Sequence, residues 1–399
     1  MTPERPSPVF DARTEIPAVR TTASLGGRSD RLVRSPQSQR LGHGVWARMS
    51  TEPTHLQKAV LLRSHLSTPE EPLALTGVTA LDLLGLPLSG SGRWVTQILG
   101  DRPAPRGSDL RRARESWVHL AWHVRRRRCG LEGVHVTRSY GLDPVRGPNG
   151  ALLTDPVEAL VVAAPMLESW VLTAVLDALL SGPVWPSAPW SAVARHCAEP
   201  LARDPLQPPE RAHAQTTAMA PEQARAPGRA RAPEQVRARD RATASKQVHL
   251  AASELWVLPP EWSVPLIEGR LLRLPPTSRA VVAVRAALQR CALGTWSPME
   301  TLVRLIAVHA GFPSPVMNHR VATGYGIRHL DLAWPESMTA LEFNGRVHSQ
   351  DHVTYKDEMH RLEVLRDEGW AVRVLVHDDL REPRRRKEWL MWLARHLAT

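Results

Sequence analysis

Hydrophobic positions in the last quarter of the chain follow two different periods. Two apolar runs, residues 327–334 and 338–343, are separated by a break that contains Pro335, and this pattern predicts a hairpin of two strands. Residues 352–367 repeat apolar positions at helical spacing and are followed by Gly369, which predicts an amphipathic helix with a glycine C-cap.

The remaining C-terminal residues complete this pattern. Residues 370–376 predict a third strand and residues 383–398 predict a final helix. The order strand, strand, helix, strand, helix indicates an α/β fold with a mixed sheet flanked by helices.

Upstream, the periodicity predicts an α+β region. Thr154 is suited to cap a helix that has Pro156 just inside its start, and residues 152–182 then predict a buried helical pair. Further helices are predicted at 54–67 and 280–293, and residues 76–88 begin as a helix that Gly85 and Pro87 stop. The predicted strands are 94–99, 117–124 and 133–137.

Composition separates these regions from a linker. Residues 205–247 are rich in Ala, Arg and Pro and have too few large apolar residues for a core, which indicates disorder. The predicted organisation is a disordered tail at 1–50, an α+β region at 51–185, a low-complexity linker at 186–253, a helical connector at 254–295 and an α/β domain at 296–399.

The formal net charge of +11 favours a polyanionic partner such as DNA, although the excess of Arg over Lys is also typical of a GC-rich genome.

The N-terminal residues lack the hydrophobic core of a signal peptide, so we do not expect secretion. The most apolar segment, 157–180, is interrupted by charged residues and a proline, so we expect no membrane partner. Three scattered cysteines fit a cytoplasmic protein. A protein partner or homodimer has no support in the sequence.

Two carboxylates mark the C-terminal hairpin as a candidate site. Asp331 lies in the first predicted strand and Glu342 near the end of the second, so the pair can converge and share a hard divalent cation. Asn344 and His348 follow where strand gives way to loop. The alternative is an ordinary solvated hairpin.

These residues carry a resemblance. Asp331, then Glu342-Phe343-Asn344-Gly345 with His348, then Asp357 with Arg361 and Leu362, and finally Gly369-Trp370-x-Val372, resemble the nuclease domain of very-short-patch repair endonucleases. They resemble still more a large actinobacterial family within the PD-(D/E)XK restriction-endonuclease-like superfamily. The resemblance includes the helix opening Ser297-Pro298-Met299-Glu300 and implies a PD-(D/E)XK-like nuclease domain at 296–399. It extends to the N-terminal half, where it implies a region at 51–185 similar to abortive-infection antitoxins and a winged-helix remnant within 1–50.

The resemblance implies a site for Mg²⁺ or Mn²⁺ with Asp331, Glu342 and Glu300 as metal ligands. It implies a catalytic set of Asp331, Glu342, Asn344 and His348, with His348 as general base or phosphate donor. Asn344 departs from the family, which commonly has an acidic residue there. Because Asn is neither a base nor a negative charge, this departure predicts weaker metal binding.

Several flanking residues keep two interpretations. Glu300 is either a metal ligand or the partner of Ser297 in a capping box, bonded back to the Ser297 amide. His348 is equally consistent with a loop histidine that has no catalytic task. Lys356, Arg361 and Arg346 are assigned to nucleic-acid binding, whereas the alternative for Arg361 is an intrahelical ion pair with Asp357.

Three upstream features also keep alternatives. His119, His123 and His135 suggest a metal cluster, but the absence of nearby carboxylate or cysteine ligand spacing favours a structural role. The arginine run 125–128 is either a charged strand edge or a phosphate contact. Residues 40–47 are either the wing of a degenerate winged helix or one strand after a disordered tail.

The resemblance implies two alternative functions. The first is a metal-dependent DNA endonuclease of the very-short-patch-repair-like type. The second is a catalytically inactive DNA-binding regulator, similar to an antitoxin, that uses the nuclease fold as a scaffold. Asn344 favours the second, and the combination of Asp331, Glu342 and His348 favours the first.

Overall fold

Mixed sheets flanked by helices give the chain an α/β architecture. The computed structural model describes residues 18–21, 35–88, 93–101, 116–123, 129–147, 151–181, 262–344 and 352–398. The linker predicted at 186–253 and the arginine run 125–128 lie outside these ranges. In the described part of the chain, no helix is both long and apolar enough to cross a membrane.

A small antiparallel sheet comes first, with strand order β1-β3-β2. Gly44, at φ 71°, turns the chain between β2 and β3. Residues 40–47 therefore form a hairpin, and the expectation of a single strand in this region is wrong. The strands are β1 (Val19–Thr21), β2 (Ser38–Gly42) and β3 (Val45–Arg48).

The second sheet has five strands in the order β6-β5-β4-β8-β7, with parallel and antiparallel pairs. Two helices, α1 and α2, pack on β4 and β5. The elements are α1 (His55–Leu66), β4 (Leu73–Leu75), α2 (Gly77–Leu83), α3 (Arg93–Leu99), β5 (Val118–Trp122), β6 (Val134–Arg138), β7 (Val145–Arg146) and β8 (Leu152–Leu153).

The prediction of a strand at residues 94–99 is wrong, because this segment is helix α3. Its apolar residues recur four apart, with Trp94 above Ile98 and Val95 above Leu99. This spacing places each pair on adjacent turns of a helix. Over six residues the same letters also fit a strand, which explains the error.

The predicted helical pair is present, but its start differs from the prediction. The cap of α4 (Pro156–Ala163) is Asp155 and not Thr154, since the Asp155 carboxylate accepts from the Val157 amide at 2.8 Å. A 3₁₀ turn, Ala164–Met166, then leads to α5 (Ser169–Ser181).

Helix α5 connects the two halves of the molecule. It is buried along nearly its whole length and packs against α7 and α8. One continuous hydrophobic cluster runs from the small sheet through α5 to the last helix. From residue 262 onwards the first helices are α6 (Val264–Leu272), α7 (Arg279–Leu288) and α8 (Pro298–His309).

The C-terminal sheet has the order β12-β11-β10-β9. Strands β9, β10 and β11 are antiparallel neighbours, and β12 runs parallel to β11. Strand β9 was not predicted. The elements are β9 (Val316–Thr323), β10 (Gly326–Trp334), the 3₁₀ turn Pro335–Ser337, β11 (Thr339–Phe343), α9 (His352–Asp367), β12 (Ala371–Leu375), α10 (His377–Arg381) and α11 (Pro383–Leu397).

Two hydrophobic clusters cover this sheet. Leu332 and Leu341 join the large cluster that includes residues of α8 and α11, whereas Ala333 and Ala340 join a smaller one with Leu362 of α9. Because successive strand residues alternate between faces, helices cover both sides of the sheet. The predicted mixed sheet flanked by helices is therefore present.

Candidate functional site

Asp331 and Glu342 meet where the β10–β11 ladder opens. The antiparallel pairing ends at Leu332 with Leu341, and the next position on each strand is Asp331 and Glu342. Beyond this point, hydrogen bonds from backbone amides to the two carboxylates take the place of the backbone pairing between the strands. The Phe343 amide donates to Asp331 Oδ2 at 2.8 Å, and the Asp331 amide is 3.4 Å from Glu342 Oε1. The two predicted carboxylates are thus brought together.

On the other side of Asp331, strand β9 is distorted at Asn318. Leu330 pairs with His319 and Leu332 pairs with Met317, so Asn318 lies opposite Asp331 in the register. Its φ of 47° is in the left-handed region, which Asn tolerates better than most residues. The distortion therefore coincides with the carboxylate site.

The alternation of β10 also breaks at Asp331. Leu330 belongs to the same hydrophobic cluster as Ala333, although residues three apart lie on opposite faces of a regular strand. Asp331 is therefore located at an irregularity of the sheet, between two regular stretches. Such irregularities re-aim side chains and commonly lie next to functional sites.

Glu300 adds a third buried carboxylate from α8. The Ser297 hydroxyl accepts from the Glu300 amide at 3.2 Å, which is half of the expected capping box. The expected return bond, from the Ser297 amide to the Glu300 carboxylate, is wrong, because Glu300 Oε2 accepts from the Trp296 amide instead, at 2.9 Å. It also accepts from Asn318 Nδ2 at 2.7 Å. Burial and the charge of Asp331 raise the pKa of Glu300 to about 8.

Arg361 of α9 is an unexpected partner of Glu342. Its Nη2 is 2.5 Å from Glu342 Oε2, and its Nη1 donates to the His329 carbonyl at 3.0 Å. Burial and the charge of Asp331 nevertheless raise the pKa of Glu342 to about 8, while Arg361 acts in the opposite direction. The Arg361 side chain is 26% exposed, so water screens part of its charge.

The other predicted site residues follow β11 or lie on α9. Asn344 directly follows β11, and its amide donates to the Leu375 carbonyl at 2.8 Å. Arg346 and His348 fall within 345–351, outside the described residues. Lys356 and Asp357 lie on α9, where the described side chains begin at His360.

Asn318 is a site residue that the sequence analysis missed. Its Nδ2 bridges Glu300 and the Gly294 carbonyl, at 2.7 and 2.8 Å. Its Oδ1 is buried and has no hydrogen-bond partner among the described residues, which is rare for a buried polar atom. The only sequence signal was an isolated Asn in a short apolar run that had not been predicted as a strand.

The donor set is made of oxygen atoms, as Mg²⁺ and Mn²⁺ require. Within the described residues, no group of three or more His, Cys, Asp or Glu side chains is arranged to hold a metal ion. Mg²⁺ is usually held by one or two carboxylates together with water and substrate phosphates. Asp331 and Glu342 satisfy this smaller requirement, and Asn318 Oδ1 offers a further buried oxygen. The residues therefore fit the chemistry of such an ion.

The upstream histidines form an aromatic stack. The rings of His119 and His135 are 5.5 Å apart, and the ring of Trp117 is 4.6 Å from His135. Burial, followed by the charges of His135 and His55, lowers the pKa of His119 to about 4. His119 is thus neutral at physiological pH, which is consistent with the structural interpretation.

No protein-family model, no curated protein and no solved structure matches the chain.

Proposed function

We propose that the chain is a metal-dependent DNA endonuclease of the very-short-patch-repair-like type, which hydrolyses phosphodiester bonds. The observation that supports this most is the meeting of Asp331 and Glu342 at the open end of the β10–β11 ladder. Glu300 is near enough for the charge of Asp331 to raise its pKa. Asp331 is half-buried and Glu342 is buried, and two such carboxylates side by side favour a cation as their partner.

A bound Mg²⁺ or Mn²⁺ would lower the pKa of a water molecule and neutralise charge at the scissile phosphate. Asp331 and Glu342 would hold the ion. Glu300, whose Oε2 is fixed by Trp296 and Asn318, completes the acidic lining. Arg361 is already bonded to Glu342, so its supported role is to orient that carboxylate, rather than to contact a phosphate as the sequence analysis assigned.

The fold and the charge give further support. A four-stranded mixed sheet with helices on both faces suits a restriction-endonuclease-like domain. The net charge of +11 suits DNA as the partner, with Arg346 and Lys356 as phosphate contacts and His348 as the assisting base. In this proposal the N-terminal half contributes recognition of DNA or of a protein partner.

A second candidate is a non-catalytic DNA-binding regulator built on the same scaffold. The Arg361–Glu342 ion pair favours it, because a guanidinium already neutralises one of the two principal ligands. Asn344 favours it as well, since an amide supplies no negative charge. Under this candidate, the chain binds duplex DNA with a steep salt dependence and never cuts it.

The test is nicking of supercoiled plasmid by the full chain in Mg²⁺ and in Mn²⁺. Asp331→Asn and Glu342→Gln keep the shape of each side chain and remove its charge. We expect each variant to nick at least about a hundredfold more slowly, since removal of a group that stabilises transition-state charge costs about 10²–10³ in rate.

Glu363→Gln is the matched control, because it removes the same charge from an exposed position on α9. It should nick at the wild-type rate. A wild-type chain that binds duplex DNA but fails to nick it in either metal would support the regulator. Equal nicking by wild type and both site variants would show that the carboxylates carry no catalysis.

A further inference from the structure

A cavity lies in the N-terminal half of the chain, lined by residues 40–43, 58, 116–117 and 132–133. It has a volume of about 480 Å³ and opens between the β2–β3 hairpin, helix α1 and the chain around the starts of β5 and β6. We call it the hairpin pocket. Its polar lining includes Arg40, His43, Lys58, Trp117 and Glu132. A volume of this size suits a small ligand, since such sites commonly measure about 300–1,000 Å³.

The charges of the hairpin pocket are unbalanced. Among the described residues, no carboxylate forms an ion pair with Lys58 or Arg40, and the Arg40 Nε–H donates only to the Gly42 carbonyl at 3.3 Å. Lys58 is half-buried, so its ammonium group has lost part of its hydration. One exposed carboxylate, Glu132, opposes these two cations. The pocket therefore favours a ligand with a negative group.

Trp117 adds an aromatic surface to the hairpin pocket. Trp117 is one of the lining residues, and its indole ring packs against His135, at 4.6 Å between ring centroids and 51° between planes. The strand that follows it, β5, pairs with β4 on one side and β6 on the other, so the indole starts from a rigid element. Aromatic side chains held in this way stack on nucleobases.

We propose that the hairpin pocket binds a nucleoside monophosphate, either as a free nucleotide or as a nucleotide of a DNA strand. Lys58 and Arg40 bind the phosphate through charge-assisted hydrogen bonds, and Trp117 stacks on the base. The Glu132 carboxylate accepts from an exocyclic amino group of the base. This site is independent of the carboxylate site and of its proposed metal.

The test is isothermal titration of the full chain with dAMP, in EDTA and about 0.15 M salt to screen exposed charges. We expect saturable binding of one dAMP per chain. Deoxyadenosine, which lacks the phosphate, and inorganic phosphate, which lacks the base, should each bind at least about tenfold more weakly. A 5′-phosphorylated single-stranded hexanucleotide distinguishes the two sources of nucleotide. It binds more tightly than dAMP if the pocket serves a DNA strand, and no more tightly if the ligand is a free nucleotide.

Variants assign the binding to the pocket. Lys58→Gln and Arg40→Gln should each weaken dAMP binding about tenfold or more, because each removes a charge-assisted hydrogen bond. Arg48→Gln removes the same charge from an exposed position on β3 outside the lining and should leave affinity unchanged. Trp117→Phe keeps an aromatic face and should retain most of the binding.

Three results would overturn the proposal. They are the absence of saturable dAMP binding, wild-type affinity in both Lys58→Gln and Arg40→Gln, and equal affinity for deoxyadenosine and dAMP. Because the titration contains no divalent cation, its result is separate from that of the nicking assay. The melting temperature of each variant shows whether it is folded.

Discussion

Two groups of ionisable side chains, each with a buried carboxylate bonded to arginine, differ in the number of carboxylates for each arginine. In the first group, Asp177 of α5 accepts from Arg304 and from the Thr301 hydroxyl at 2.8 Å, and from the Ala292 amide at 2.9 Å. Asp177 is fully buried and Arg304 is 4% exposed. One negative charge thus faces one positive charge, with further donors around it.

The second group has three carboxyl side chains and one arginine. Asp331, Glu342 and Glu300 are close enough for Asp331 to raise the pKa of both glutamates, and Arg361 is the cation bonded to Glu342. Burial of an ionised carboxylate without a compensating charge is unfavourable. The comparison therefore separates a structural ion pair from a site that would gain from an added cation.

The largest expected loss of stability follows from a substitution in the ion pair of Asp177 and Arg304. Asp177→Asn leaves the Arg304 guanidinium buried without its counter-charge, and such a loss costs about 3–5 kcal/mol of the free energy of unfolding. Glu342→Gln should cost less than about 1 kcal/mol, because Arg361 is partly exposed to water and a repulsion with Asp331 disappears. Urea unfolding measures both differences.

Asp143→Asn is the control for this measurement. Asp143 is 94% exposed and lies 3.6 Å from Arg273, so we expect a change of at most about 0.5 kcal/mol. If Glu342→Gln destabilised the chain as much as Asp177→Asn, both groups would be structural and the comparison would fail.

A smaller effect concerns pH. The ordinary pKa of 4.5 rises to about 8 for Glu300 and Glu342, mainly through burial. Between these values the folded chain keeps protons that the unfolded chain has released, so stability is present at low pH and decreases as pH rises through 8. Without divalent cations, we expect a loss of about 1 kcal/mol for each group between pH 7 and 9.

Melting temperatures at pH 7 and pH 9, with EDTA and with Mg²⁺, check this slope. Mg²⁺ should stabilise the chain more at pH 9, where the carboxylates are ionised. Glu342→Gln should reduce the slope, and the exposed Glu363→Gln should not change it. The interval from pH 7 to pH 9 lies above the titration of His119, whose pKa in the folded chain is about 4. A slope that is identical in wild type and Glu342→Gln would contradict the interpretation.

Local patterns in the sequence were sufficient for most individual elements of the C-terminal sheet. The predicted helix 352–367 coincides with α9, and the two carboxylate strands lie within one residue of their predicted ends. A helix with a full period of apolar positions, or a strand bounded by a proline turn, is determined by neighbouring residues. These elements also placed Asp331 opposite Glu342.

The parts that the sequence analysis missed depend on distant contacts. Strand β9 begins with an exposed Val316 and contains Asn318 at a positive φ, so its alternation is interrupted. The bond from Arg361 to Glu342 joins residues 19 positions apart, and an ion pair within α9 was equally consistent with the sequence. Asp177 was only an interruption in an apolar helix until the fold placed Arg304 beside it.

The smallest expected change in stability tests whether Asn318 belongs to the second group, with Asp331, Glu342 and Glu300. Asn318→Ala and Asn318→Gly both remove the amide that bridges Glu300 and the Gly294 carbonyl, but only Ala also strains the backbone at φ 47°. We expect Ala to be less stable than Gly by about 1 kcal/mol in urea unfolding. Since the Asn318 hydrogen bond acts to lower the pKa of Glu300, both variants should also reduce the stabilisation by Mg²⁺ at neutral pH. Equal Mg²⁺ stabilisation in wild type and both variants would limit Asn318 to a backbone role, and a loss in both would assign its side chain to the site.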